Sequence, residues 1–533
     1  EAIEEIAGID VLCSDKTGTL TENKLTLGDP VTFDPSVDPK ELITMASLAS
    51  KEENQDAIDL AILQALDSPS ALEGFKQEKF VPFDPVNKRT LATVVGPQGE
   101  RFYVTKGAPQ VILSMSQVEE TLKAKVEEKV NDFASRGYRT LGVARSEDGE
   151  HWTFLGLLPM FDPPRKDAAE TIAKAREHGV QVKMVTGDNV AIAREIAGNL
   201  GMGKNILPAD ELGNDLTAHI KESDVARRIE RADGYAQVFP EHKYLIVKAL
   251  QAQDHLVGMT GDGVNDAPAL KQADVGIAVS GATDAARAAA DLVLTSPGLG
   301  VIIRAIEEAR RIFERMNSYA IYRITETIRI MVFMVLAMMV YNFYPMTAIM
   351  IILLALLNDL PIMTIAKDNT WLDKKPVRWD MKRVLTIATV LGGVGIIETF
   401  GLLVIAKTRF NLSVSALQTV IFLKLAVAGH MTLFVARTRH SFLSKPYPSK
   451  ILLLTILSTQ IIAALIAGLG IFVTAIPWAY IGYIWAYCIV WIFIEDLVKL
   501  IVYHHLEQAT PRHRRFLHFI GRSLHPFQRS TLS

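Results

Sequence analysis

An aspartate followed at once by Lys, Thr and Gly, at the end of an apolar run, is the first arrangement in this chain that could do chemistry. The run is Ile9-Asp10-Val11-Leu12-Cys13-Ser14, and the polar stretch is Asp15-Lys16-Thr17-Gly18-Thr19-Leu20-Thr21. A buried strand here places a carboxylate at the carboxyl edge of a sheet, in a turn whose backbone N–H groups can hold a phosphate. Asp15 is then a nucleophile able to take a phosphoryl group, with Lys16 and Thr17 beside it. The competing reading is a helix-capping Asp in an ordinary strand–turn–helix.

Phosphoryl transfer to a carboxylate also needs a divalent cation and donors for the equatorial oxygens. Asp262 and Asp266, in Gly261-Asp262-Gly263-Val264-Asn265-Asp266, offer the hard oxygen ligands that Mg²⁺ takes. A calcium loop is the alternative for this cluster, but the terminal bidentate Glu and the regular alternation are missing. Thr186 and Gly187, in Thr186-Gly187-Asp188, can donate to phosphate. Lys243, following Phe239-Pro240-Glu241-His242, is a candidate point charge that alone would read as a solvated lysine. Phe83-Asp84-Pro85 with Lys88-Arg89, Lys106-Gly107-Ala108-Pro109 and Arg139 offer an aromatic face and cations, which suits a nucleotide. Taken singly, Phe83 also fits a core and Lys106 a solvated surface.

The elements that must position these residues alternate along the chain. Strand-like runs at Ile9–Ser14, Gln181–Thr186, Leu256–Thr260, Val275–Val279 and Leu292–Leu294 are separated by helical stretches such as Arg165–His178, Val190–Leu200 and His242–Gln253. That is the pattern of an open parallel sheet, whose ligands bind beyond the strands' carboxyl ends. The loops after three strands should therefore converge. Residues 28–160 interrupt the pattern and read as an inserted domain, with Asp162-Pro163-Pro164-Arg165 as the hinge back.

At 533 residues the chain is too long for one core. Its formal net charge of −3 gives no basic field for nucleic acid. The two cysteines, Cys13 and Cys488, fall in a buried strand and an apolar segment, so no disulfide framework is implied. Runs long enough to span a membrane occur at Tyr322–Tyr344, Met346–Ala366, Leu385–Ala406, Val414–Val435, Ile451–Thr474 and Trp478–Tyr503. The connectors Lys367–Arg383 and Arg437–Lys450 and the tail after Tyr503 are basic, whereas Asn342–Pro345 and Thr474–Tyr483 carry no Lys or Arg; Lys407 and Arg409 are a minor exception. The basic side, with the soluble part, is then cytoplasmic.

Ionisable side chains inside the spans are functional candidates by default. Arg329 lies sixteen residues before Pro345 and Asp359 fourteen after it, so an antiparallel helix pair sets them at similar depth, differing by roughly 3 Å. Facing each other, they suit a proton: with Arg329 away Asp359 takes one, and with Arg329 near it leaves. A static ion pair is the alternative. Pro361 frees the carbonyl of Leu357. Glu326, Glu398, His430 and Glu495 read as weaker candidates.

DKTGTLT at 15–21 is the signature of the P-type ATPases, and the chain resembles them over nearly its whole length. The resemblance implies a haloacid-dehalogenase-like α/β phosphorylation domain (1–27 and 161–310), an inserted α+β nucleotide-binding domain (28–160), an all-α membrane domain of six spans (311–503) and a basic tail (504–533). It implies Asp15 as the phosphorylated residue and Thr17 as a backbone ligand of Mg²⁺. Thr186 and Lys243 match phosphate-binding positions, and Asp262 matches the Mg²⁺ ligand with Asp266 its partner. Phe83, Lys88, Lys106, Gly107, Arg139 and Arg165 look like ATP-binding residues. Soluble members of the superfamily carry an acid where Thr17 stands here, so a long-lived phosphoenzyme is expected. Thr327-Ile328-Arg329-Ile330 with Leu357-Asn358-Asp359 resembles the plasma-membrane proton-pump branch, in which Asp359 is the proton acceptor and Arg329 its counter-charge; Leu360-Pro361 departs from the plant pattern.

Family members also carry four earlier spans and an actuator domain with a Thr-Gly-Glu loop, and no Thr-Gly-Glu occurs here. The chain is accordingly read as the C-terminal portion of an ATP-driven proton exporter, not transport-competent alone. A pump for another cation and a nucleotide-binding membrane module serving a separate N-terminal half are the alternatives.

Overall fold

Short apolar runs flanked by Asp, Gly and Thr become strands here, and longer ones become helices. The structure is a computed structural model; it describes every residue except 1, 23, 34–35, 85, 213–223, 411 and 524–533, and no side chain of residues 17, 69 and 507–523. The chain divides into two units, Glu1–Glu307 with Lys374–Pro376, and Glu308–Asp373 with Val377–Ser533.

In the first unit a seven-stranded parallel sheet has the order Ile206–Pro208, Gly234–Ala236, Gln181–Val185, Val11–Asp15, Val257–Gly261, Val275–Ala278, Leu292–Val293. Helices Ala168–Glu177, Val190–Asn199, Pro240–Ala252 and Ala267–Gln272 link the strands. The five expected strands are present; the edge strand Ile206–Pro208 and its neighbour Gly234–Ala236 are additions. Buried on both faces, the central strands are mostly apolar, with Val11, Cys13, Met184, Val257 and Met259 at most 1% exposed.

Strand Val11–Asp15 sits between Gln181–Val185 and Val257–Gly261, in register so that Asp15 lies beside Val185. The residues following all three strands therefore open at one edge.

A second, antiparallel sheet holds Thr26–Leu27, Thr153–Phe161, Arg139–Ser146, Arg101–Gly107, Arg89–Val95 and Lys76–Asp84 in that order, with Val31–Thr32 also paired to Thr153–Phe161. Its strands alternate sides with a period of two. Phe102 and Val104 pack with Leu42, Met45 and Ile62 on one face, while Ile112, Phe133 and Trp152 cluster on the other. The two passages between sheets are zipped together: Thr21 Oγ1 donates to Asp162 at 2.5 Å, and Arg165 N to the Leu20 carbonyl at 3.0 Å.

The second unit is built from helices Leu299–Tyr341, Ala348–Thr364, Met381–Arg409, Val414–Ala436, Lys450–Leu469 and Trp478–Ser523, the first of which begins in the other unit. Among the described residues five helices are long and apolar enough to cross a membrane. The expected sixth span lies within Trp478–Ser523, and the basic side chains at 512–522 are outside the described residues. Val414–Ala436 is buried nearly all round, as an apolar helix at the centre of a bundle should be. The basic connectors meet at one end, where Arg437 pairs with Asp368 at 2.7 Å and Arg439 with Asp373 at 3.2 Å. At another site Gln418 bonds the Tyr344 carbonyl and Thr419 the Thr474 carbonyl, joining the uncharged connectors. Lys407 lies 4.2 Å over the Tyr341 ring, which gives that exceptional charge a partner.

Candidate active site

The peptide N–H of Asp15 donates to Thr260 Oγ1 at 2.9 Å, tying the end of its strand to the neighbouring one. Lys16–Leu20 then forms one wide turn, closed by Thr21 N to the Lys16 carbonyl at 3.1 Å, with Gly18 at φ 74°. Such i+5 turns concentrate at functional sites. The Thr17 side chain lies outside the described residues.

Lys243 Nζ reaches Asp15 Oδ2 and Asp266 Oδ1, each at 2.7 Å. Asp266 Oδ2 accepts the N–H groups of Asp262 and Gly263, both at 3.0 Å, so Asp266 holds the loop that presents Asp262. A Cβ on Gly261 would lie 2.5 Å from that of Asp266, which is why the loop needs glycine there. One carboxylate oxygen from each of Asp15, Asp262 and Asp266 lies within 4.8 Å of the others. Three carboxylates around one ammonium leave an excess of two negative charges. Hard oxygen donors with that excess fit a divalent cation such as Mg²⁺. Asp15 and Asp262 keep oxygens for it, whereas both oxygens of Asp266 already accept hydrogen bonds.

Burial raises the pKa of Asp15, with Lys243 opposing. Burial and then the Asp266 charge raise that of Asp262. Burial works against the Lys243 ammonium, but Asp15 and Asp266 outweigh it and its pKa lies above the ordinary value. Lys243 is therefore a fixed positive charge.

Thr186, next to Val185 in the strand paired with Asp15, is buried and accepts from Asp188 N at 3.1 Å. Asp188 pairs with Lys16 at 2.8 Å and with Arg139 at 3.5 Å. These residues line a cleft of about 340 Å³ together with Asp56, Asp162 and Ile192. Gly187 stands in open space: a methyl group added there would approach only the Val238 carbonyl, at 3.7 Å.

The expected nucleotide residues are not all together. Phe83 is 55% exposed, and Lys88 is exposed too. Gly107 pairs with Arg89, and a Cβ on it would collide with the Lys88 carbonyl. Arg165 lies against Gly298 and Asp167 and is not among the residues lining the cleft. Lys106 is not a solvated lysine. It shares the strand face of Phe102 and Val104, so it enters the core, where Nζ bonds Asp59 at 2.6 Å, the Ala49 carbonyl at 2.5 Å and Ser50 Oγ at 2.8 Å. Burial lowers its pKa while Asp59 supports the charge. Asp59 and Ser50 were not singled out from sequence.

In the helical unit the expected facing of Arg329 and Asp359 does not occur. Asp359 is about half-exposed and pairs with Arg323 at 2.9 Å. Equal depth was inferred from rise alone, but each residue also turns a helix by about 100°. Arg323 and Arg329 thus occupy different faces. Arg329 is fully buried and pairs with Glu326, with Glu495 at 3.6 Å and Glu398 at 3.8 Å. Its stem fits because Gly395 offers no Cβ in its path. Lys424 Nζ pairs with Glu398 at 3.0 Å. The Leu357 carbonyl freed by Pro361 accepts from His430 Nε2 at 3.2 Å.

With this geometry in hand, residues 9–274 match the family model described as "Hydrolase: haloacid dehalogenase-like hydrolase". The α/β body is haloacid dehalogenase-like. The chain is also 51% identical over 510 residues to a Methanocaldococcus jannaschii protein named "Putative cation-transporting ATPase MJ1226", covering 95% of this chain. It spans 63% of that relative's length. Its helices make it an integral membrane protein.

Proposed function

We propose that this chain is part of a P-type ATPase that exports protons through an aspartyl-phosphate formed at Asp15. The observation that carries the reading is Lys243 bonded to Asp15 at a sheet edge it shares with Asp262 and Asp266. The similarity to a relative whose name includes cation transport supports it.

Asp15 attacks the γ-phosphorus of ATP; the bond from that phosphorus to the β,γ-bridging oxygen breaks, and ADP leaves with the electron pair. Lys243 and Thr186 stabilise the charge on the equatorial oxygens. Mg²⁺, held by Asp15, Asp262 and the Thr17 carbonyl with Asp266 positioning the loop, would neutralise further phosphate charge. Lys16, Asp188 and Arg139 lie on the nucleotide's side of the cleft, with Phe83, Lys88, Gly107 and Arg165 as further contacts once the two sheets close on ATP. Lys106 acts through the core that it anchors. Thr17 in place of an acid leaves the intermediate without a nearby proton donor, so it persists through a conformational change.

The segments 1–27 with 161–310, 28–160 and 311–503 serve as phosphorylation, nucleotide-binding and six-span membrane domains of a plasma-membrane protein with cytoplasmic catalytic domains. Asp359 is the proposed proton acceptor, with Arg323 beside it, and Arg329 acts from a separate cluster. A guanidinium and an ammonium within that cluster favour a proton over a metal cation, which needs six or more oxygens in the case of Ca²⁺. An actuator function would come from a separate N-terminal half.

The test is incubation of the full protein with Mg·ATP radiolabelled in its terminal phosphate. An acid-stable, hydroxylamine-labile label is expected; its absence at every substrate concentration would overturn the reading.

A further inference from the structure

One buried cluster of the helical unit holds more acidic than basic side chains. Glu326, Glu398 and Glu495 are at most 4% exposed, and Arg329 and Lys424 are fully buried among them. Three carboxylates share two cations, and the other polar groups facing them bring no third. His430 gives its Nε2 proton to the Leu357 carbonyl and accepts at Nδ1 from Gln460 at 2.7 Å, the pattern of a neutral ring. Tyr487 donates to the Glu398 carbonyl at 2.8 Å, and Cys488 and Tyr322 are buried neutral groups. Arg323 is matched by Asp359.

An isolated buried negative charge is costly enough that the group takes a proton instead. Lys424 is committed to Glu398, and its Nζ also bonds Thr399 at 2.6 Å. Arg329 is left to serve both Glu326 and Glu495. Its Nη1 spends a hydrogen bond on Thr432 at 3.0 Å, and Thr432 in turn donates to Glu495 at 2.8 Å.

A second, independent feature points to the bearer. Among the described residues Glu326 Oε2 and Asn358 Oδ1 are buried and accept no hydrogen bond. Both border the place where a Cβ on Gly429 would stand, at 3.3 and 3.4 Å. The missing side chain at Gly429 thus lets two acceptors from two other helices, one on the carboxyl group and one on the amide, approach the same point.

We propose that this cluster is a proton-binding site, holding one exchangeable proton shared between Glu326 and Glu495 across Arg329, and separate from Asp359. Water supplies the proton and a carboxylate oxygen accepts it, so no redox partner is involved. A shift of Arg329 toward both carboxylates releases the proton, and a shift away binds it. That this proton is exported rests on the function proposed above; its presence does not.

Infrared spectroscopy of the full chain in detergent tests this at neutral pH, where exposed carboxyl groups are ionised. A protonated-carboxyl carbonyl band that shifts in D₂O is expected. Glu326→Gln and Glu495→Gln, and Glu398→Gln as well, should each abolish it, because two carboxylates then match two cations. Asp359→Asn should keep it. Lys424→Met should roughly double it, a change of opposite sign that a fold defect would not mimic. No band in the wild type, or a band lost only in Asp359→Asn, overturns the proposal. Labelling of Asp15 on the same preparation separates the two readings: label without the band removes the proton site alone, and the band without label removes the pump alone.

Discussion

At the edge of the parallel sheet, Asp15, Asp262 and Asp266 share Lys243, and Lys16, next to Asp15, lines a cleft; in the helical unit, Glu326, Glu398 and Glu495 share Arg329 and Lys424 away from solvent. The first cluster has an excess of two negative charges and access to ions, which suits a divalent cation and phosphate. The second has an excess of one, with a guanidinium and an ammonium already among its carboxylates, which suits a proton. Similar side chains thus suit different ligands through charge count and exposure. A cation beside a cleft can serve chemistry, whereas a sealed one must first serve stability.

That contrast is sharpest if the open lysine is removed. Lys243→Met should slow Asp15 labelling by about 10²–10³-fold while leaving the melting temperature little changed; equal loss of both would erase the distinction. Lys106 is the sealed counterpart within the same unit. Lys106→Met alone should cost about 3–5 kcal/mol by stranding the Asp59 carboxylate, and adding Asp59→Leu should recover most of it. Hydrogen exchange in strand Arg101–Gly107 measures the local stability. A single variant as stable as the wild type would contradict the burial argument.

Thr432→Val keeps shape but removes the hydroxyl between Arg329 and Glu495, and should cost about 1–3 kcal/mol in denaturant unfolding. No change would mean that the two charges do not depend on it. The smallest effect is expected at the opposite edge of the sheet, where His255 bonds Asp10 at 3.2 Å. That bond raises the His255 pKa above 6.5 against the opposing effect of burial. Its contribution is fully present below the ordinary value and disappears as pH rises through the raised one. His255→Gln should therefore lose a few tenths to about 1 kcal/mol near pH 6 and nothing well above the raised pKa. A gap that widened with pH would reverse the assignment.

The two clusters were unequally legible in the sequence. Asp15 ends its strand, and Thr186 and Asp262 directly follow theirs, so parallel pairing alone brings them to one edge. Asp266 is four residues from Asp262 and is fixed by the turn between them. Lys243 needed its motif context, since helix Pro240–Ala252 could have turned it elsewhere. The edge strand Ile206–Pro208 and its neighbour Gly234–Ala236 were missed because three residues give no periodicity. The fate of Lys106 was readable from its even spacing with Phe102 and Val104, a signal that its match to an ATP-binding position obscured.

In the helices, depth follows from counting residues but facing depends on how six helices pack. Arg329 and Asp359 were set level and turned apart. Arg329 instead meets Glu398 and Glu495, which lie 69 and 166 positions further along the chain. Gly395 and Gly429 decide which side chains fit, and neither signals that from sequence. The carbonyl freed by Pro361 was legible because it is a local backbone effect.

The central claim is the covalent intermediate, and its position can be read directly. The protein is allowed to react with Mg·ATP, quenched in acid, reduced with borohydride and digested for mass spectrometry. Reduction of an aspartyl phosphate leaves homoserine, and the account predicts it at position 15, absent without ATP and in Asp15→Asn. Homoserine at position 262 or 266 instead, or none anywhere while ATP is hydrolysed, would contradict it.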